Sequence, residues 1–281
     1  MMCQISHCIH AAKHAGRELI IDTNFAADWG NCFRQPFDEL FRAKKGMAPT
    51  IHPRLSPRLL IKLRRLDTYP FAFQGMPDMS YALGQHGSEL EEQAKALVLS
   101  PSRVEWKCPL IVYQNFGGGN QSIDALKWFT FSPLTARAIG HRLSQLPPKY
   151  QAIHVRNTDR ATNYRPFFKR IRPYLFAQNV LLCSDDAECI EYGRNFFDKS
   201  NVITLVDTPA LDTPLHHAVK NRRNLNQDML TDLMGLAGAS KMYFTNSPNP
   251  LCTDSVSGFT RLALALHKQP QLRKQLLHEK T

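Results

Sequence analysis

The sequence predicts an α/β fold, and three observations carry that expectation. Between residues 151 and 267, short apolar runs alternate with longer stretches of helical spacing, as in a parallel sheet with helices on both faces. The strand candidates end in polar residues: His154, Arg156 and Asp159 after one, Ser184, Asp185 and Asp186 after the next, Thr245, Asn246 and Ser247 after the last. A doubly wound sheet gathers such ends along one edge, where ligands bind. Near the amino terminus, a helical stretch, Gly16 and an apolar strand candidate follow one another in the same style.

In chain order, Ile5, Cys8, Ile9 and Ala12 share one face of a helix over 5–15, stopped by Gly16. Residues 18–23 read as a short buried strand and 24–31 as a loop. Phe37, Leu40 and Phe41 give a helical turn over 36–42. Residues 44–57 are proline-rich and irregular. Arg54, Arg58 and Lys62 recur at helical spacing beside Leu55, Leu59, Leu63 and Leu66, which predicts a helix at 58–66 with a basic face. That face reads first as solvated; contact with a membrane surface through Arg54, Arg58 and Lys62 is its second reading. Residues 89–99 suit a helix, and 104–106 and 110–113 suit strands. Gly117, Gly118 and Gly119 form a break, with neither a Gly-Lys-Ser/Thr ending nor a Gly-x-Gly-x-x-Gly frame, and read as a loop. A helix over 133–146, with Leu134, Ala138 and Leu143 inward, stops at Pro147 and Pro148.

That proline pair marks the expected boundary between a first domain, 1–148, and a second, 149–281. Beyond it come a strand at 151–156, a helix near 164–176, a strand at 180–183, a helix at 187–197 and a strand at 202–206. A loop over 207–224, a helix from 227 to 238, a strand at 241–245 and a helix from 257 to 267 complete the pattern.

Composition limits the function classes. The chain has 281 residues, 43% hydrophobic and 21% charged, enough for one large or two modest domains. It lacks an apolar run of the ~18 residues a membrane span needs, and its start does not read as a signal peptide. Cysteines number seven, an odd count, without a Cys-x-x-Cys. Cys8, Cys108, Cys183 and Cys189 sit in apolar contexts and read as small buried hydrophobes of a reducing, cytoplasmic setting. The net charge of +11 favours an anionic ligand, a nucleic acid or an acidic membrane without choosing among them. No basic-aromatic interleaving or nucleic-acid-binding motif is present.

Three features carry chemistry. Arg156, at a strand end, offers a planar fork of donors to a phosphate and keeps its charge at any working pH. Ser255, Ser257, Gly258 and Thr260 open an apolar helix, whose free N–H groups and dipole suit an anion. Asp232 lies on a helix face with Leu230, Leu233, Leu236 and Ala237, where a carboxylate is costly unless paired. It can pair with a guanidinium inside the protein, or accept both N1–H and N2–H of a guanine.

On these residues the sequence resembles a fucosyltransferase group that includes α-1,6- and protein O-fucosyltransferases and bacterial nodulation fucosyltransferases. The run His154-Val155-Arg156-Asn157-Thr158-Asp159 is similar to that group's His-x-Arg-Arg-x-Asp motif. Residues 180–186 are similar to its second motif, a strand ending in Ser/Thr-Asp-Asp. Residues 228–264 are similar to its third, an Asp on an apolar helix, a strand, then Ser-x-Phe-Ser/Thr-Arg-Leu-Ala. Residues 17–41 resemble its amino-terminal region, with Asp22 followed by Thr23 where Trp is usual.

The resemblance implies a GT-B-like fold: two Rossmann-like α/β domains facing across a cleft, the second holding GDP-fucose and the first the acceptor. Arg156 would bind the β-phosphate, and His154 and Asp232 would face the guanine. Ser257 and Gly258 would meet the diphosphate, with Ser255, Asp159 and Thr260 in the same site, and Asp185 would lie near the nucleoside. Asn157 replaces the motif's second arginine. The group's Gly-rich loop before the first helix is missing, which predicts a first domain truncated at its start.

The expected reaction is a metal-independent, inverting transfer of fucose from GDP-fucose to a glycan or lipid-linked hydroxyl, without a cofactor. Arg156 is the expected catalytic residue. Asp22, Asp28 and Glu39 are unranked candidates for the base. Two other readings remain: a GDP-sugar-binding remnant of weak or absent activity, favoured by Asn157 and the missing loop, and a basic nucleic-acid-binding protein.

Overall fold

The computed structural model describes residues 2–23, 35–69, 71–78, 108–113, 122–157, 162–208, 222–246 and 256–277. The chain forms two compact units, Met1–Thr130 and Phe131–Thr281.

The first unit contains, in chain order, α1 (Met2–His14), β1 (Leu19–Ile20), α2 (Phe37–Leu40), β2 (Phe41–Ala43), β3 (Ile51–His52), α3 (Pro57–Leu63), β4 (Thr68–Tyr69), β5 (Leu110–Ile111), α4 (Ser122–Leu126) and β6 (Phe129–Phe131). The stripe Ile5, Ile9 and Ala12 of α1 is buried, and α1 packs against α4. Lys13 and His14 close its last turn, and Gly16 follows at φ +63°, a left-handed position that stops the helix. β1 pairs in parallel with β3, Leu19 opposite Ile51, and β4 with β5, Thr68 opposite Leu110. Parallel pairs are the signature expected of α/β construction.

Two expectations change here. The helical turn expected over 36–42 ends at Leu40, and Phe41 begins β2, which pairs with β6. The fully buried rings of Phe37 and Phe41 stack at 4.8 Å, and Phe129 meets Phe37 edge-on at 5.0 Å. Aromatic packing of this kind outweighs local helical spacing. The basic helix starts one residue early, at Pro57, capped by Ser56, whose Oγ accepts from Leu59 N–H; none of its residues is buried. The helix expected at 89–99, the strand at 104–106 and the glycine-rich break lie outside the described residues.

The second unit contains α5 (Pro133–Leu143), β7 (Gln151–Val155), α6 (Tyr164–Leu175), β8 (Asn179–Ser184), α7 (Ala187–Phe196), β9 (Asn201–Ile203), α8 (Arg222–Gly238), β10 (Lys241–Phe244), α9 (Gly258–His267) and α10 (Pro270–Leu277). The Pro147-Pro148 pair lies inside this unit, between α5 and β7; α5 packs against α8 and α10. Its strands run in the order β10-β7-β8-β9, all parallel. After β7 the sheet grows in one direction through β8 and β9, then β10 returns to the other side of β7. The carboxyl ends of β7 and β10 therefore flank a topological switch point, the standard ligand position in open α/β sheets.

Strand alternation sends residues to two helix layers. Ile153, Val155, Val180 and Leu182 join Phe167, Phe168, Ile171 and Leu175 of α6 and Cys189 and Ile190 of α7 in one core cluster. Two glycines let helices approach the sheet closely from opposite faces. A Cβ on Gly193 of α7 would lie 2.5 Å from Leu182 Cδ2, and one on Gly235 of α8 would lie 2.8 Å from Leu181 Cδ2. Consecutive residues of β8 thus face different helices, as the continuous apolar strand requires.

Several boundaries differ from expectation. In α5 the buried residues are Thr135 and Ile139, whereas Leu134 is 62% exposed. Ser132 caps this helix and accepts from Thr135 N–H, which turns Thr135, and Ile139 one turn on, inward. The third strand stops at Ile203, α8 begins at Arg222, and α10 was not anticipated. No helix among the described residues is long and apolar enough to cross a membrane.

Candidate functional site

At the switch point three elements meet. His154, on β7, is buried, and its backbone carbonyl accepts from Thr245 N–H just past β10. Its Nδ1 lies 2.7 Å from Thr260 Oγ1, and its ring centroid is 5.2 Å from that of Phe259. Thr260 Oγ1 is 2.9 Å from Ser257 Oγ, which also accepts from Thr260 N–H as the cap of α9. Ser257 and Thr260 are both buried. A continuous hydrogen-bonded file therefore links the strand tip to the helix start. Helical geometry leaves the N–H groups of Gly258 and Phe259 without acceptors inside α9, at the positive end of its dipole.

The charge state of that file is set by its surroundings. Burial, then the nearby Arg156 guanidinium, pushes His154 down to about 3 from its usual 6.5. The ring is neutral at any working pH and keeps one donor and one acceptor. Arg156 follows two residues on, half-buried, and its carbonyl accepts from Thr162 Oγ1 at 3.1 Å. The neighbouring Asn157 binds the end of β8: its N–H donates to Asp185 Oδ1 at 2.7 Å and its Nδ2 to Asp186 Oδ2 at 2.6 Å.

Asp232 sits on α8, with Cys183 of β8 as its hydrogen-bond partner. Cys183 is the register partner of His154, so both side chains leave the sheet on the α8 face. Burial raises Asp232 to about 7; the Cys183 hydrogen bond opposes the rise, Asp228 one turn earlier adds to it, and Arg142 opposes it. Arg142 forms its ion pair with Asp228. The Cys183 thiol is itself driven well above its usual value, first by burial and then by the Asp232 charge.

The sequence-marked residues are thus placed unequally. His154, Arg156, Ser257, Gly258 and Thr260 gather at the switch point, Asp232 is on the same sheet face as His154, and Asp185 closes the β7–β8 edge. Asp159, Ser255 and Asp28 lie outside the described residues. In the first unit, Asp22 is half-buried and Glu39 accepts from Gln35 Nε2 at 3.3 Å. Arg54 lies 3.7 Å from Asp38, and Arg58 and Lys62 are exposed on α3 beside Ile61, itself 56% exposed.

Cys183, Phe259 and the bonding role of Asn157 were not marked in advance. Cys183 carried a usable signal, since it pairs in register with His154 once adjacent parallel strands are assumed. Phe259 had one too, as the aromatic beside Gly258 at the helix start.

No family model and no curated protein matches the chain. Solved structures do. The crystal structure of fucosyltransferase NodZ from Bradyrhizobium matches with a TM-score of 0.61 at 16% identity, covering 94% of this chain and 87% of that one. NodZ alpha-1,6-fucosyltransferase soaked with GDP-fucose matches with a TM-score of 0.60, at the same identity and coverage. The form co-crystallized with GDP gives 0.58, again at 16% identity. At this identity the likeness is one of fold: the chain has the α/β fold of these fucosyltransferase structures over almost its whole length.

Proposed function

We propose that this chain is a glycosyltransferase that takes fucose from GDP-fucose and passes it, with inversion, to a hydroxyl acceptor. The observation that carries the reading is the meeting of Arg156, the neutral His154 and the α9 start at the switch point of the second unit. The fold shared with fucosyltransferase structures, one soaked with GDP-fucose and one co-crystallized with GDP, supports it.

In this reading the second unit, Phe131–Thr281, holds the donor, and the first serves the acceptor. An acceptor hydroxyl attacks the anomeric carbon while the bond from that carbon to the β-phosphate oxygen breaks. The electron pair of the broken bond leaves with GDP, and the hydroxyl proton passes to a base or to water. Charge grows on the diphosphate as the bond breaks. Arg156 meets that charge as a fixed cation, and the N–H groups of Gly258 and Phe259 meet it as dipoles. One well-placed group of this kind is worth on the order of 3–4 kcal/mol in the transition state. The proposed reaction uses no metal. His154 and Asp232 face the base from the α8 side, Asp232 accepting from guanine N1–H and N2–H as a carboxylate.

Titration with GDP-fucose by calorimetry, together with GDP release in the presence of candidate hydroxyl acceptors, tests the proposal. Arg156→Ala is expected to lower turnover by ~10²–10³-fold while the fold and melting temperature persist. Turnover close to that of the unaltered protein would remove the assigned role. A second reading, a GDP-sugar-binding remnant, is favoured by the uncharged Asn157 in place of an arginine; nucleotide binding without any turnover would select it.

A further inference from the structure

We propose that Asn157 is a positioning residue for Arg156: it locks the peptide unit that follows Arg156 and so aims the guanidinium. The inference rests on the donor-binding reading above.

The argument starts from that peptide unit. Its carbonyl, from Arg156, accepts from Thr162 Oγ1 at 3.1 Å, and its N–H, from Asn157, donates to Asp185 Oδ1 at 2.7 Å. Both polar groups of one peptide are engaged, from two different chain segments. Arg156 lies just beyond the last paired residue of β7, so the sheet no longer fixes it. These two bonds hold the peptide that follows it.

The Asn157 side chain then ties the two segments together. Its Oδ1 accepts from Thr162 N–H at 2.8 Å, which holds the residue whose hydroxyl grips the Arg156 carbonyl. Its Nδ2 donates to Asp186 Oδ2 at 2.6 Å. The other oxygen, Asp186 Oδ1, caps α7 by accepting from Glu188 N–H at 2.9 Å. Through one amide, the start of α6, the tip of β7 and the start of α7 become a single frame. The partners also fix which end of the amide is which, because a carboxylate only accepts and a backbone N–H only donates.

An arginine at this position, as in the motif the sequence resembles, could not make this frame. A guanidinium has no acceptor, so Thr162 N–H would lose its partner. Asn157 is therefore suited to the clamp and not to a second phosphate contact, and the site works with one guanidinium held firmly.

The test uses the full chain, with GDP-fucose as probe and its hydrolysis to GDP as the readout, so that no acceptor is needed. Asn157→Ala is expected to lower the hydrolysis rate about 10²-fold while KM for GDP-fucose changes little, because misplacing a group aimed at the leaving charge costs mainly kcat. In the Arg156→Ala background the same substitution is expected to add nothing, since a clamp for an absent side chain has no role. Asn157→Arg is expected to gain neither affinity nor rate. The pair Asn157→Asp with Asp186→Asn exchanges donor and acceptor across the 2.6 Å bond, keeps an α7 cap, and is expected to recover most of the rate lost by Asn157→Asp alone.

Additive losses in the two backgrounds would overturn the proposal, as would a rate increase from Asn157→Arg or unaltered hydrolysis in Asn157→Ala. If Asn157→Ala fails to fold, the exchanged pair decides, and failure of that pair to recover the rate counts against the clamp. Failure of the donor-binding reading has a separate signature: the unaltered protein would give no calorimetric signal with GDP-fucose.

Discussion

If Asp232 accepts from the guanine as proposed, donor binding has a pH dependence that can be worked out. Burial beside Cys183 and Asp228 holds its carboxyl near 7, so without a ligand it is largely protonated below neutrality. A carboxylate that accepts two N–H groups of guanine must first lose that proton. Affinity for GDP-fucose is therefore expected to be level near pH 8, and to weaken toward a limit of tenfold for each pH unit below 7. Between pH 8 and pH 5.5 the loss is roughly 30-fold, or about 2 kcal/mol. GDP-fucose is the right probe, because free GDP carries a terminal phosphate that titrates near ~6 and would mask the effect. His154, already neutral down to about 3, adds nothing in this window. Calorimetry at several pH values, in two buffers of different ionisation enthalpy, measures both the affinity and the proton released. Asp232→Asn is expected to bind more weakly at pH 8, to show no pH dependence, and to release no proton. Equal affinity of the unaltered protein at pH 5.5 and pH 8, without proton release, would refute the assignment of Asp232 to the base.

The same two buried groups give opposing stability slopes. The folded state keeps the Asp232 proton up to about 7, while the unfolded chain sheds it near 3.8, so this contribution to stability is present below 3.8 and lost as pH rises to 7. Urea unfolding of Asp232→Asn is expected to gain roughly 3 kcal/mol on the unaltered protein between pH 4 and pH 7. His154 acts with the other sign: its contribution is present above 6.5 and lost as pH falls toward 3. The stability advantage of the unaltered protein over His154→Gln is expected to shrink by roughly 4 kcal/mol across that interval. Removing the Thr260 hydroxyl with Thr260→Val leaves His154 Nδ1 and Ser257 Oγ each short of a buried partner, and is expected to cost about 1–3 kcal/mol in urea unfolding.

The second unit was more legible than the first for a physical reason. Its strands β7 and β8 are buried on both faces, so they read as continuous apolar runs that stop sharply at His154-Val155-Arg156 and Cys183-Ser184-Asp185. In the first unit the strand pairs β1–β3 and β4–β5 are two residues long, too short for any period to show. Phe41 shows how tertiary packing overrides local pattern: its spacing from Phe37 suits a helix, but the ring is buried against Phe129 from an extended backbone. Site residues were legible where they carried charge or capped a helix, as with Arg156, Asp232 and Ser257. The rest depended on register and on bonds between distant segments. Nothing local in the sequence marks Cys183 as the partner of Asp232, or Asn157 as the junction of three elements.

The electrostatic plan of the site follows from its neutral members. A second cation beside Arg156 would repel it in a setting where burial already penalises charge, and the depressed His154 shows that penalty at work. Dipoles avoid the conflict: the N–H groups of Gly258 and Phe259, which have no acceptor inside α9, would present positive ends to a diphosphate without adding a like charge. The Thr260–Ser257 file orients an imidazole that burial and Arg156 keep neutral, at the cost of no further charge. On the proposed reading, with the peptide after Arg156 clamped, one ion and a set of fixed dipoles would meet the anion. On the proposed reading, an asparagine at position 157 serves the same anion by a different means, by seating the one arginine beside it.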